Sequence, residues 1–283
     1  MRLFFLGTAA AEAYPGVFCG CENCERARAS RGRSLRRRSS LLVDDDLLID
    51  LGPDVIDAAL AYGLRLQRLR TVLITHVHAD HFDPDVLRWR APGFRVGELP
   101  ELTIHGPPET ARQMGALEDV EGLAIKLVTV GPFERFAVHD AKVWTFPARH
   151  GTEGPLLYAV ERAGAKFLYA SDTGAPPAEV WQALGEHRFD VIVMEETMGA
   201  AASLGHTNLE EIAAHRARAD KEGVLKPGGR FIATHMSHRN NPDHTRLAAM
   251  LGARGIEVAY DGMEVVVEGS GEPRNAAQPP EQA

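Results

Sequence analysis

Residues 75–81 read Thr-His-Val-His-Ala-Asp-His, three imidazoles and a carboxylate packed together directly after the apolar run 71–74. Side chains alternate along an extended backbone, so His76 and His78 point the same way. A helical turn after them would project Asp80 and His81 toward a neighbouring position, and one short loop could then serve two metal ions. The competing reading, a solvated histidine-rich loop, sits poorly with this spacing and with the buried-looking strand before it. A second cluster is formed by Cys19, Cys21 and Cys24, the chain's 3 cysteines. An odd number of thiols so close together favours a shared metal over disulfides. Tetrahedral zinc needs a fourth ligand, for which His238, in Thr234-His235-Met236-Ser237-His238, is the candidate. Three reduced cysteines without a metal would leave the C-x-C-x-x-C spacing without a cause.

The histidine motif resembles the signature of the metallo-β-lactamase superfamily. That resemblance implies three more ligands in a fixed order, matched here by His150, Asp172 and His235, each just past an apolar β-like run. Loops leaving a rigid sheet are where function concentrates. In the family pattern His76, His78 and His150 hold one metal, Asp80, His81 and His235 hold the other, and Asp172 bridges them. The implied fold is α/β, a four-layer αβ/βα sandwich with metals at the edge between the sheets. The two clusters together look like the branch of phosphoribosyl 1,2-cyclic phosphate phosphodiesterases, over most of residues 1–268. Leu6-Gly7-Thr8, the cysteines and the arginines after them carry this likeness, as do Ser171-Asp172-Thr173, Thr234-His235-x-Ser237-His238 and Asp261-Gly262-Met263-Glu264. In that branch a further histidine sits near the phosphate, and His206 matches it. Residues 88–100 and 195–199 depart from the branch.

The elements that must position these residues are legible in the punctuation of the chain. Strand-like runs fall at 3–6, 40–43, 47–49, 72–75, 102–105 and 125–130, and then at 143–146, 156–160, 166–170, 191–194, 230–234, 257–260 and 263–267. Helical patterns fall at 53–62, 178–184, 209–222 and 243–252. Strands in runs with helices after them suit two packed sheets with helices outside. Asp261-Gly262 reads as a tight turn between the last two strands. From Gly269 to residue 283 the composition turns to that of a disordered tail. Asp50 is expected either to support a metal-bound imidazole or to cap the following turn, and Glu195 to orient His206 or a ligand. His105, His139, His187, His215 and His244 read as surface or loop residues.

Composition narrows the function. The chain has 283 residues, 45% of them hydrophobic, enough for one large core. Its net charge of −8 argues against an extended nucleic-acid surface. One basic stretch, Arg26, Arg28, Arg31, Arg33, Arg36, Arg37 and Arg38, reads as a solvated face, or else one or two of its arginines bind phosphate in the pocket. The start lacks the pattern of a signal peptide and no run spans a membrane. Thiols kept for a metal point to the cytoplasm. The expected activity is metal-dependent hydrolysis of a small, cyclic or open, sugar or nucleotide phosphodiester. Two divalent ions (Zn²⁺, Mn²⁺, Fe²⁺ or Ni²⁺) and one structural Zn²⁺ serve it, with His206, Asp80 and Asp172 as catalytic groups and His206 as proton donor. A homodimer is compatible with the sequence. Rival readings are hydrolysis of lactones or thioesters, transfer-RNA processing, and a carrier protein of the same fold.

Overall fold

Strands that are apolar on both faces must be covered twice, which forces a layered arrangement. The computed structural model describes residues 1–269 except residue 118, so the expected tail lies, beyond Gly269, outside the described residues. The elements run β1 (Arg2–Gly7), α1 (Glu22–Ser30), β2 (Ser40–Val43), β3 (Leu47–Ile49), α2 (Val55–Tyr62), β4 (Thr71–Leu73), β5 (Leu102–Gly106), α3 (Pro108–Met114) and β6 (Ile125–Thr129). There follow β7 (Arg135–Val138), β8 (Ala141–Pro147), β9 (Leu156–Arg162), β10 (Ala165–Ala170), α4 (Ala178–Leu184), β11 (Phe189–Glu195), α5 (Leu209–Lys221), β12 (Leu225–Thr234), α6 (His244–Gly252), β13 (Glu257–Val258) and β14 (Glu264–Val266). The strands form two 7-stranded sheets, β14-β1-β2-β3-β4-β5-β6 and β13-β12-β11-β10-β9-β8-β7.

Alternation along each strand divides the apolar side chains among three cores. Leu3, Phe5, Leu41 and Val43 of the first sheet meet Tyr158, Val160, Phe167 and Val191 of the second. Their neighbours Leu157, Leu168, Ile192 and Met194 turn the other way, onto Trp181, Ile212 and Leu247 of the outer helices. On the far side Phe4, Leu6, Leu48 and Val72 pack against Val55 and Ala58 of α2. The result is the expected four-layer α/β sandwich.

Three elements escape the hydrophobic pattern. Of α1 only Cys24 and Ala27 are buried, so it presents no apolar stripe. Helix α3 is short and opens on proline, and β7 is a mostly exposed edge strand. Asp261-Gly262 makes the expected tight turn between the last two strands, closed by Met263 N–H donating to Tyr260 O at 2.9 Å, but β13 and β14 do not pair, because they belong to different sheets. Here Asp261 accepts from Thr8 Oγ1 at 2.8 Å and from the Arg37 backbone N–H at 2.6 Å, fastening the crossover to the start of the chain.

The loop after β3 supports the histidine loop directly. Leu51 donates its N–H to His81 O and accepts from Asp83 N, both at 2.8 Å. A Cβ on Gly52 would lie 2.1 Å from Asp80 O, so the position has no room for a side chain. Gly52→Ala must displace backbone. We expect a loss of about 1–3 kcal/mol in urea unfolding; unchanged stability would show that the two loops part freely.

Candidate functional site

Strands β10, β11 and β12 are mutually parallel, and β8 runs the same way because β9 is antiparallel to both β8 and β10. Their carboxyl ends therefore share one sheet edge, where α/β folds place ligands. His150, Asp172, Glu195, His206 and His235 follow or end these strands, while the loop after β4 brings His76, His78, Asp80 and His81 from the other sheet. The expected helix after His78 is one turn only, with the N–H groups of His81 and Phe82 both donating to His78 O at 2.9 Å. Three site residues adopt the left-handed backbone region, Asp50 (φ 64°), Asp172 (φ 48°) and His235 (φ 60°). Such conformations are uncommon outside glycine and gather where a reversal must aim a side chain.

The seven expected ligands converge as two groups. In the first, His78 Nδ1 lies 3.1 Å from both His76 Nε2 and His150 Nε2. In the second, His81 Nε2 lies 3.2 Å from His235 Nε2 and 3.1 Å from Asp80 Oδ2. Asp172 belongs to both groups. Its Oδ2 is 3.1 Å from His76 Nε2 and 3.1 Å from His81 Nε2, while Oδ1 is 2.9 Å from His235 Nε2.

The outer hydrogen bonds decide which nitrogens are bare. His81 Nδ1 donates to Asp50 Oδ2 at 2.7 Å and His150 Nδ1 to Gly205 O at 3.1 Å. Thr75 Oγ1 donates to Asp50 and accepts from His76 Nδ1 at 3.0 Å. The Thr197 hydroxyl donates to Glu195 and accepts from His235 Nδ1 at 2.9 Å. Four imidazoles thus keep their proton outside and turn an Nε2 lone pair inward, the arrangement of metal-binding histidines. Ligands about 2.0–2.1 Å from a tetrahedral ion stand about 3.3–3.4 Å apart, close to the spacings found here, so the residues fit a pair of divalent cations.

Without cations the groups polarise one another. Burial works against a charged His235, but Asp172 and Asp80 outweigh it and raise its pKa to about 10. Burial also opposes ionisation of Asp172, which His235 and His81 nevertheless hold well below the usual carboxylate range. Protons and metal ions therefore compete for the same atoms.

His206 stands beside this pair, with Nδ1 3.1 Å from Glu195 Oε2 and 3.9 Å from Asp172 Oδ1. Burial lowers its proton affinity and Glu195 more than restores it, leaving the pKa above its ordinary value. Glu195 is the expected orienting carboxylate, and it also accepts from Thr173 N at 2.5 Å. Asp50 takes the supporting role and not that of a helix cap, since Asp54 precedes α2.

A cavity of about 600 Å³ opens onto this centre and is lined also by Glu12, Ser237, Arg239 and Asn240. Sequence reasoning missed Glu12, Arg239 and Asn240, which belong to no motif, while Ser237 stands in the motif Thr234-His235-x-Ser237-His238 but was given no role of its own. Of the two readings of the stretch 26–38, a solvated face describes the exposed Arg28, Arg31 and Arg33, while none of its arginines lines the cavity as phosphate binding would need. Arg36 is buried instead, donating to Thr8 Oγ1 and Ala259 O with His244 Nδ1 at 2.9 Å. Arg38 pairs with Asp54, and Arg37 with Asp57 and Asp261. The surface reading of the leftover histidines holds for His139 alone. His105, His187, His215 and His244 are buried, pushed down to about 4 first by that burial.

The thiols of Cys19, Cys21 and Cys24 meet His238 in one group, with Cys21 Sγ 3.6 Å from His238 Nδ1. A zinc with ordinary Zn–S and Zn–N bonds would set these atoms about 3.6 Å apart. Gly16 N donates to Cys24 Sγ at 3.3 Å and Cys21 N to Cys19 Sγ at 3.5 Å, as suits thiolate acceptors.

Asp50→Asn keeps the shape and the acceptor oxygen but removes the charge that supports His81 Nδ1–H. Divalent-cation affinity in a competitive chelator titration should fall about 10–100-fold, with an unchanged affinity assigning Asp50 to the fold alone.

Comparison with known proteins bears on the whole arrangement. The chain is 32% identical to a ribonuclease Z of Mycolicibacterium gilvum, across 44% of this chain and 51% of that protein; it spans about half the length of the ribonuclease Z relatives it matches first. Among solved structures, a new diphosphatase from the PhnP family superposes with a TM-score of 0.75 at 24% identity, covering 96% of this chain and 99% of the other. Zn²⁺-bound PqqB from Methylobacterium extorquens gives 0.74 at 21% identity, covering 94% and 100%. These two likenesses are likenesses of fold. The model of the Beta-lactamase superfamily domain matches residues 46–253, which contain both histidine and aspartate groups, and this chain belongs to that family of metal-dependent hydrolases.

Proposed function

We propose that this chain is a dinuclear metal-dependent phosphodiesterase acting on a small sugar or nucleotide phosphate. His76, His78, His150 and Asp172 hold one divalent cation, and Asp80, His81, His235 and Asp172 the other. Cys19, Cys21, Cys24 and His238 hold a structural Zn²⁺. The observation that carries the reading is Asp172, whose Oδ2 is shared at 3.1 Å by His76 of one group and His81 of the other. Two such cations, when bound, would supply Lewis acidity and lower the pKa of an attacking water.

The chain's own residues supply the rest. Asp172 and Asp80 offset the charge of the site and fix its geometry. His206, its Nδ1 engaged by Glu195, keeps Nε2 for the substrate and holds a proton to give to a departing alkoxide. That donor favours esters with a poor leaving group over thioesters or activated lactones, whose leaving groups need little help. A solved diphosphatase and the ribonuclease Z relatives support phosphorus chemistry. The cavity of about 600 Å³ and the net charge of −8 suit a small ester better than a long nucleic acid. A carrier protein of this fold would have no use for His206 and Glu195. Among the described residues no helix is long and apolar enough to cross a membrane, and a cytoplasmic setting suits thiols kept for zinc.

Elemental analysis of protein expressed with adequate metal should give two active-site ions and one zinc per chain. Cys21→Ser should lose that zinc and melt lower, because structural zinc contributes folding free energy directly, whereas Asp172→Ala should lose turnover and keep the fold. A single equivalent of metal, indifferent to Cys21→Ser, would sink the three-ion assignment.

His206→Ala should retain metal and still cleave an activated aryl phosphodiester. Turnover of an alkyl or cyclic sugar phosphate should fall by about 10²-fold or more. Steady-state kinetics on both substrates decides it: equal losses would remove the proton-donor role, and lost metal would make His206 a ligand.

A further inference from the structure

The cysteine cluster reaches the active-site cavity through one side chain. His238 turns Nδ1 toward Cys21 Sγ, 3.6 Å away, and Nε2 toward Glu12 Oε1, 3.5 Å away. An imidazole that gives Nδ1 to a metal must carry its proton on Nε2, and such a proton characteristically faces a carboxylate. Here that carboxylate is no interior brace. Glu12 is one-third exposed, at 33%, and lines the same cavity as His206 and Asp172.

The surroundings hold this unit tightly. Ser237 Oγ donates a hydrogen bond to Glu12 Oε1, the oxygen that His238 Nε2 approaches. Arg28 donates to Gly16 O at 2.9 Å and to Cys19 O at 2.8 Å, closing the loop that runs from Glu12 to the cysteines. A Cβ on Gly16 would lie 2.7 Å from His238 Nε2, so the loop wraps the ring with no room to spare. Asn23 Nδ2 donates to His238 O at 3.0 Å, fixing the histidine from the other side.

We propose that Glu12 is the cavity's hydrogen-bond acceptor for a hydroxyl on the non-reacting part of the substrate, and that the zinc cluster positions it through His238. This rests on the phosphodiesterase reading and on zinc at the cysteines. A carboxylate oxygen in the wall accepts from a neutral donor, so it selects a hydroxylated ester. Glu12 is then specificity-determining, and His238 is a positioning residue as well as a ligand.

His238→Cys separates the two roles, since a thiolate can complete a four-cysteine zinc site but has no second nitrogen for Glu12. Glycerol 1,2-cyclic phosphate and propanediol 1,2-cyclic phosphate differ by a single hydroxyl and serve as probes. Wild type should favour the hydroxylated diester about ten-fold or more in kcat/KM, chiefly through KM. Glu12→Ala should lose that preference, and His238→Cys should lose it while keeping its zinc and its melting temperature. Wild type without a preference, or Glu12→Ala that keeps it, overturns the acceptor role; zinc-loaded His238→Cys that keeps it overturns the positioning. Should His238→Cys fail to fold or to hold zinc, the crystal structure of zinc-loaded wild type decides, with Nε2 out of hydrogen-bonding reach of Glu12 as the overturning result. Wild type that hydrolyses neither diester refutes the phosphodiesterase reading instead. The same crystal structure then tests the positioning on its own, and a wild type with no zinc at the cysteines overturns it.

Discussion

One carboxylate sets the terms for the rest of the fold. Asp172 is 2% exposed and faces inward nitrogens from His76, His81 and His235 within 2.9–3.1 Å. A buried charge is tolerable only with opposite charge and good geometry around it, and no single strand could supply that. His76 and His81 come from the first sheet and His235 from the second, so both sheets must end at a common edge and in a fixed relation. The core between them, filled by Phe5, Tyr158 and Phe167, maintains that relation. Packing energy is spread over dozens of side chains, and its output is the placement of a few polar atoms.

Placement is refined by hydrogen bonds that look outward. Asp50 is wholly buried and answers three donors, Thr75 N, Thr75 Oγ1 and His81 Nδ1, so one side chain orients His81 directly and His76 through the threonine. Thr197 does the same for His235 while donating to Glu195, which in turn meets His206. The proton-bearing histidine and the inward-facing ones are therefore joined in one network. Such a network pre-sets tautomers before any cation or substrate arrives, and left-handed backbone at Asp50, Asp172 and His235 is a strain that the surrounding packing sustains.

How far this was legible in the sequence follows from range. His76 to His81 declare themselves because their spacing is local and their types are rare. His150, Asp172 and His235 are separated by long stretches, and only the family likeness selects them from other loop residues. Most strands follow from alternation, since their faces bury apolar side chains. Helix α1 does not, because it buries only Cys24, in the cysteine cluster, and Ala27, in a small cluster with Ala9 and Tyr14. Thr197, Glu12 and Arg239 are ordinary residue types brought to the site by tertiary structure, so no periodicity or motif marks them. Of the arginines of 26–38, Arg28, Arg31 and Arg33 are exposed as a solvated face should be, and Arg36 departs from that reading for a related reason. Charge runs usually face water, but Arg36 finds buried oxygens from Thr8 and Ala259, partners that lie far away in the chain.

The histidine–aspartate centre and the cysteine group are also joined by backbone. His235 and His238 belong to one short segment leaving β12, and Met236 between them donates to Thr8 O at 3.0 Å and accepts from Ala10 N at 3.1 Å. The chain's first residues past β1 are thereby stitched to the segment that carries a ligand of each group. Displacing the cysteine loop pulls on His238, and through three residues of hydrogen-bonded backbone it pulls on His235 as well. Zinc bound at the cysteines as proposed would therefore also bear on the histidine–aspartate centre, through the backbone that fixes where strand β12 ends and where His235 leaves it. The same stitching places Glu12 between the groups, which is why a side chain from the first turn of the protein can form the wall of a cavity built from the last strands of the second sheet.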